Sequence, residues 1–86
     1  MSKLLQEYST IVIGDDTEYS VRSYGEEKVD GTWTAWIEFH PIDTTLPVLQ
    51  TDQETSQPNE TAVDYWAMGL EPVYFEGAFE RARPKL

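Results

Sequence analysis

The stretch Thr32-Trp33-Thr34-Ala35-Trp36-Ile37-Glu38-Phe39-His40 decides the fold. Its apolar Trp33, Ala35, Ile37 and Phe39 alternate with Thr34, Trp36, Glu38 and His40, the period of two that a strand shows when only one face is buried. Four apolar side chains in strict alternation define a core side. Pro41 lacks a backbone donor, so the ladder is expected to stop there, and Asp43-Thr44-Thr45 reads as the next turn.

Working outward, Tyr19-Tyr24 sets Tyr19, Val21 and Ser23 against Ser20, Arg22 and Tyr24 with the same period. Gly25-Gly31 reverses the chain, and its Asp30-Gly31 pair supplies positive φ at little steric cost, so the two stretches pair as antiparallel neighbours. Upstream, the β-branched run Thr10-Ile13 closes on Gly14-Asp15-Asp16-Thr17, a strand ending in a hairpin turn. Downstream, Leu46-Gln50 reads as a third or fourth strand, and Pro47 puts it at an edge. The pattern then changes. Ser56-Gln57-Pro58-Asn59-Glu60 offers a capping side chain, a first-turn proline and an acid, which predicts a helix over Pro58-Met68. Its stripe is Ala62, Val63, Trp66, Ala67 and Leu70, and Gly69 is expected to end it in a left-handed conformation. After Pro72, Phe75, Ala78, Phe79 and Ala82 repeat at helical spacing, with Gly77 costing about 1 kcal/mol relative to Ala. The competing reading makes Val73-Glu76 a last strand, with helix only after Gly77.

Strands first and helices second predict an α+β fold: an antiparallel sheet of three to four strands with one or two C-terminal helices packed on one face. At 86 residues the chain accommodates one domain over 1-86, with residues 1-8 and 83-86 expected to fray. There is no Cys, so packing alone must hold the fold. Trp33, Phe39, Trp66, Phe75 and Phe79 supply it, each burying about 150–250 Å².

Charge narrows the function. The formal net charge is -10, which disfavours a nucleic-acid partner, because that affinity rests on cations neutralising phosphates. Lys3, Arg22 and Lys28 against all 16 acids leave residues 1-80 at -13, whereas Arg81, Arg83 and Lys85 make the last six residues +3. That basic tail reads as the cationic end of a helix or as a docking tail. Apolar runs are four residues or fewer, and MSKLLQEYST lacks the apolar region of a signal peptide, so a cytoplasmic chain with no membrane partner is expected.

Little chemistry is encoded. Without Cys and with His40 as the sole imidazole, nucleophilic catalysis has few candidates, and the hydrolase, zinc-protease and phosphate-loop patterns are absent. A catalytic alternative would need Glu38 and His40 to converge in a pocket. Asp15, Asp16 and Glu18 lack the spacing of a calcium loop, and with Glu26, Glu27 and Asp30 they read as solvated turns, so no metal or cofactor is expected. The polar stretch Thr51-Thr61 crowds donors and acceptors ahead of a helix N-terminus, which ordinary capping accounts for and an anionic ligand would also suit. Trp36 stands out as a large aromatic on the face opposite Trp33 and Phe39. With Arg22, Tyr24, Thr34, Glu38 and His40 it forms an aromatic and polar patch of the composition found at protein-binding hot spots. The alternative is that Leu4-Tyr8 or dimerisation covers it.

The order strand, strand, strand, helix in a small acidic chain, with Thr32-Phe39 as the central strand, resembles HicB-like antitoxin domains over roughly residues 19-70. The strand-turn-helix string of that family is matched loosely by Leu49-Gln50-Thr51-Asp52-Gln53-Glu54-Thr55 and Glu60-Thr61-Ala62-Val63. Its DNA-binding segment has no counterpart here, so the resemblance does not imply repression. The stretch Trp33-Phe79 is also similar to small bacterial proteins of uncharacterised function. The reading is thus a small acidic bacterial module, without catalysis, that binds another protein or a second copy of itself. An antitoxin-like or nucleic-acid-mimicking inhibitor of a basic partner is the alternative.

Overall fold

The computed structural model describes residues 1–84. Five strands, β1 (Ser2–Gly14), β2 (Thr17–Glu27), β3 (Trp33–Pro41), β4 (Leu49–Gln50) and β5 (Thr55–Gln57), precede two helices, α1 (Glu60–Met68) and α2 (Pro72–Ala82). All pairings are antiparallel, in the order β1-β2-β3, with β4 and β5 sharing the far edge of β3. This is the α+β layout its alternating patterns predict.

The β1–β2 hairpin turns on Asp15 and Asp16, both at positive φ (52° and 62°), the pair of left-handed residues that a two-residue turn between twisted strands requires. Gly31, at φ 88°, does the same for β2–β3, and Asp30 closes that turn by accepting from the Thr32 amide and hydroxyl. Those bonds hold the Asp30 carboxyl below the usual range. The reversal is confined to Lys28–Thr32, and Gly25 lies within β2. In that strand it faces Leu5 and the Trp33 ring at a distance where a methyl group would crowd both. Asp43 repeats the Asp30 device with Thr45.

One face of the sheet carries the core. Tyr19, Val21, Ile37 and Phe39 pack against Phe75, Ala78 and Phe79 of α2, while Trp33 and Ala35 pack against Val63 of α1. Half-buried Trp66 touches both groups and joins them into one interior. The Phe39 and Phe79 rings meet edge to face at 5.2 Å, a favoured aromatic geometry. Tyr8 ties the outer strand to α1: its hydroxyl donates to the Ala67 carbonyl at 2.6 Å and lies 3.0 Å from the buried Ser23 hydroxyl. Burial pushes the Tyr8 phenol up, against the lowering effect of Ser23.

Several sequence expectations are corrected. The strand expected over Thr10-Ile13 begins at Ser2, so residues 2–8 form an edge strand rather than a fraying end. The strand expected over Leu46-Gln50 shrinks to Leu49–Gln50. The helix starts at Glu60 rather than Pro58, because Asn59, following the proline, caps the Ala62 amide, and Thr55–Gln57 adds a short strand beside Trp33–Ala35. Gly69 caps α1 at φ -87° rather than in the left-handed region, its amide shared between the Tyr65 and Trp66 carbonyls. Val73-Glu76 is helical, part of α2. Gly77 in the middle of α2 is exposed, and a methyl group there would meet only Arg81 Nη1, at 3.3 Å, the guanidinium nitrogen that Glu54 does not bind, so a shift of a few tenths of an ångström at that nitrogen makes room. Gly77→Ala should therefore raise stability by about 0.5–1 kcal/mol, read as a higher urea midpoint at unchanged slope.

Candidate functional site

Because both helices cover one face, the even-numbered residues of β2 and β3 project from the other. Register places Tyr24 beside Trp36, Arg22 beside Glu38 and Ser20 beside His40. From β1, Leu4 aligns with Tyr24, Glu7 with Arg22 and Ile11 with Ser20. Three rows result: apolar Leu4–Tyr24–Trp36, charged Glu7–Arg22–Glu38, and Ile11–Ser20–His40. Tyr24 and Trp36 lie nearly parallel at 6.4 Å, and Tyr24 is equally far from His40. Such cross-strand aromatic contacts stiffen the face.

Glu38 is the centre of this arrangement. One of its oxygens accepts from the Trp36 indole N–H and the other from His40 Nε2, both at 2.9 Å. The carboxylate thereby fixes the orientation of both rings. Its side chain is only 17% exposed and that of His40 23%, so the pair is half-sunk between the rows. Arg22 reaches Glu7 at 3.4 Å.

Beside Trp36 the sheet edge is interrupted. Between β4 and β5 the chain bulges: the buried Thr51 exchanges two bonds with Ile37, its amide donating to the Ile37 carbonyl and its hydroxyl accepting from the Ile37 amide, each at 3.0 Å. The Glu54 amide then donates to the Ala35 carbonyl at 2.8 Å. This bulge raises Gln50, Asp52 and Gln53 into one wall of a cleft of about 500 Å³, whose other wall is Ser2, Glu26 and Lys28 and whose lining includes Thr34 and Trp36. The cleft is polar apart from the indole.

Of the expected patch, Arg22, Tyr24, Trp36, Glu38 and His40 share the helix-free face and are each partly exposed, whereas Thr34 is buried (8% exposed) and serves as cleft lining. Leu4-Tyr8 does not lie over Trp36; Leu4 extends its row on the far side of Tyr24 and is 44% exposed. Leu4 and Gln50 were not legible as site residues, whereas Thr51, Asp52 and Gln53 of the cleft belong to the polar stretch Thr51-Thr61, which reads as a helix-end site and not as a neighbour of Trp36. Glu38 and His40 do converge, but neither lines the cleft, and both carboxylate oxygens are engaged by ring N–H groups. Among the described residues no group of three or more His, Asp or Glu side chains is placed to hold a metal ion.

The polar stretch Thr51-Thr61 is occupied by its own structure: Thr51 in the bulge, Glu54 with Tyr74 and Arg81, Asn59 as cap, and Glu60 with Lys3. The basic tail is engaged likewise. Arg81 binds Glu54, and Arg83 reaches Asp15 at 3.1 Å and Glu80 at 3.4 Å, while Lys85 lies outside the described residues. Among the described residues no helix is long and apolar enough to cross a membrane. No protein-family profile, curated protein or solved structure matches the chain.

Proposed function

We propose that the chain is a non-catalytic protein-binding module of the bacterial cytoplasm whose contact surface is the helix-free sheet face, anchored on Trp36. One observation carries this reading: a partly exposed indole, stacked on Tyr24 and held by Glu38, stands at the mouth of a cleft on a face that neither helix packs against. A rigid aromatic ringed by polar groups loses little entropy on binding and excludes water once covered, the composition of a hot spot. Arg22, Glu38 and His40 form the rim. Trp36→Ala should change folding stability by less than about 1.5 kcal/mol, because the ring is not core, yet weaken a complex by at least about 2 kcal/mol. A pull-down from native cell extract with wild type and Trp36→Ala side by side, plus urea denaturation of each, tests it. Equal capture by both, or loss of the fold with the indole, would remove the proposal.

A second reading, the antitoxin-like or nucleic-acid-mimicking inhibitor, is favoured by one feature. Every Lys and Arg among the described residues is ion-paired, whereas Asp16, Glu18, Asp52, Glu71 and Glu76 have no such partner. The charge left to face a partner is therefore negative. Repeating the pull-down at low and high salt separates the two, since exposed charge attraction is screened over about 10 Å at 0.1 M salt. A complex held by Trp36 should survive the salt; one held by carboxylates should not.

A further inference from the structure

The opposite margin of the molecule carries a second surface, independent of Trp36. β1 is the edge of the sheet, paired only with β2, and no backbone hydrogen bond engages its outer side among the described residues. An edge strand presents unpaired N–H and C=O groups that another strand can complete. Two irregularities, between Leu4 and Gln6 and between Tyr8 and Ile11, break most of this edge, but Ile11–Gly14 runs in unbroken register. There the edge does not face open water. A groove of about 480 Å³ lies between Thr10–Ile13 and the first turns of α2, where Pro72, Val73 and Glu76 form the facing wall. The apolar groups along it are uncovered on both sides of the edge: Ile11 (46% exposed) and Ile13 (73%) project with Ser20 and Glu18 on the helix-free face, and Val73 (70%) projects from α2.

We infer that this groove accepts an extended segment of a basic partner protein, which adds a strand to β1 and lies against α2. An open strand edge facing a helix is the arrangement in which main-chain bonds supply affinity and side-chain pockets supply selectivity. Charge identifies the occupant. No Lys or Arg lines the groove, while Glu76 stands in its wall, Glu71 precedes Pro72, and Glu18 lies across the strand pair from Ile13. A second copy of this chain would bring those same carboxylates together around a shared edge. A short β-branched run flanked by Lys or Arg instead buries Ile11, Ile13 and Val73 and neutralises the rim.

The test uses the isotope-labelled full chain and a synthetic peptide with a Val-Thr-Val-Thr centre and two lysines at each end. Amide resonances should shift at Ile11–Gly14 and Val73–Glu76. Glu76→Lys should weaken binding about fivefold or more, and N-methylating alternate peptide amides, which removes the ladder, about tenfold or more. Ile13 is exposed enough that Ile13→Lys should leave the fold unchanged while lowering affinity comparably. The proposal is overturned by no saturable shift at those positions, by equal affinity for a control peptide in which glutamates replace the four lysines, or by shifts centred on Trp36. A concentration-dependent dimer that Ile13→Lys dissolves would also overturn it, assigning the edge to a second copy.

Discussion

Phe79→Ala should destabilise the protein by about 3–5 kcal/mol, close to everything a domain of this size has to lose. The ring is 4% exposed and is the meeting point of α2 with the sheet, with Phe39 and Tyr19 each at 5.2 Å. It also lies directly over Gly14, where an added Cβ would overlap the ring edge. The hairpin end of β1 thus has a glycine because an aromatic from α2 occupies the space a side chain would need. Gly14→Ala alone should cost about 1–3 kcal/mol by overpacking. In the Phe79→Ala background the same methyl enters vacated space, so its cost should vanish or turn into a gain. Urea unfolding of the four proteins forms a double-mutant cycle, and additive losses would show that ring and glycine are not in contact.

That contact illustrates what the sequence could and could not convey. Periodicity identified the strands around Trp33–Phe39 because Trp33, Ala35, Ile37 and Phe39 are buried while Trp36, Glu38 and His40 are partly exposed on the other face, with only Thr34 breaking the alternation. It failed over Ser2–Ser9 for a physical reason: the register breaks at Leu5 and at Ser9–Thr10 put Leu4 and Ile11 on one face, with Leu5 turned to the core, so no period of two survives. β5 escaped because a three-residue edge strand needs only backbone pairing and leaves no apolar signature. The helix start was misplaced by two residues because Ser56 and Asn59 are equally good caps on paper, and only pairing of Thr55–Gln57 with β3 takes Ser56 out of contention. The Trp36 face was legible, since alternation alone sets Trp36 opposite the core. The cleft beside it was not, because it depends on a bulge held by Thr51 and Glu54, and neither residue marks itself in the sequence.

Glu54→Ala should cost about 2–3 kcal/mol near neutral pH, the largest effect expected from a polar substitution here. The Glu54 side chain is 8% exposed and accepts from the Tyr74 hydroxyl, from Arg81 Nε at 3.1 Å and from Arg81 Nη2 at 2.5 Å. Half of Arg81 is in water, which keeps the figure below that of a fully enclosed pair. Burial on its own would raise the Glu54 carboxyl, but the bonds from Arg81 and Tyr74 and the guanidinium charge outweigh it and hold the group below its ordinary value. Its contribution is therefore complete above the unfolded carboxyl's value near 4.5 and is lost as pH falls through the lower folded value. Tyr74 behaves in the opposite sense. Burial and the neighbouring carboxylate push its phenol up to about 12, so its contribution is complete below 10 and is lost as pH rises toward 12. Stability should form a plateau with an acid limb that Glu54→Gln shallows and an alkaline limb that Tyr74→Phe shallows. Asp30 and Asp43 also titrate low and shape the acid limb in both proteins, so the difference between wild type and Glu54→Gln isolates Glu54. An acid limb unchanged by Glu54→Gln would show that the carboxylate is not held as described. Because the Glu54 side chain ties the end of the bulge to Tyr74 and Arg81 of α2, while its amide bond to Ala35 survives in the variant, the substitution should also loosen Gln50–Gln53, the cleft wall beside Trp36. Glu54→Ala should then weaken a Trp36-dependent complex although Glu54 does not line the cleft, linking the stability of the bulge to the shape of the binding face.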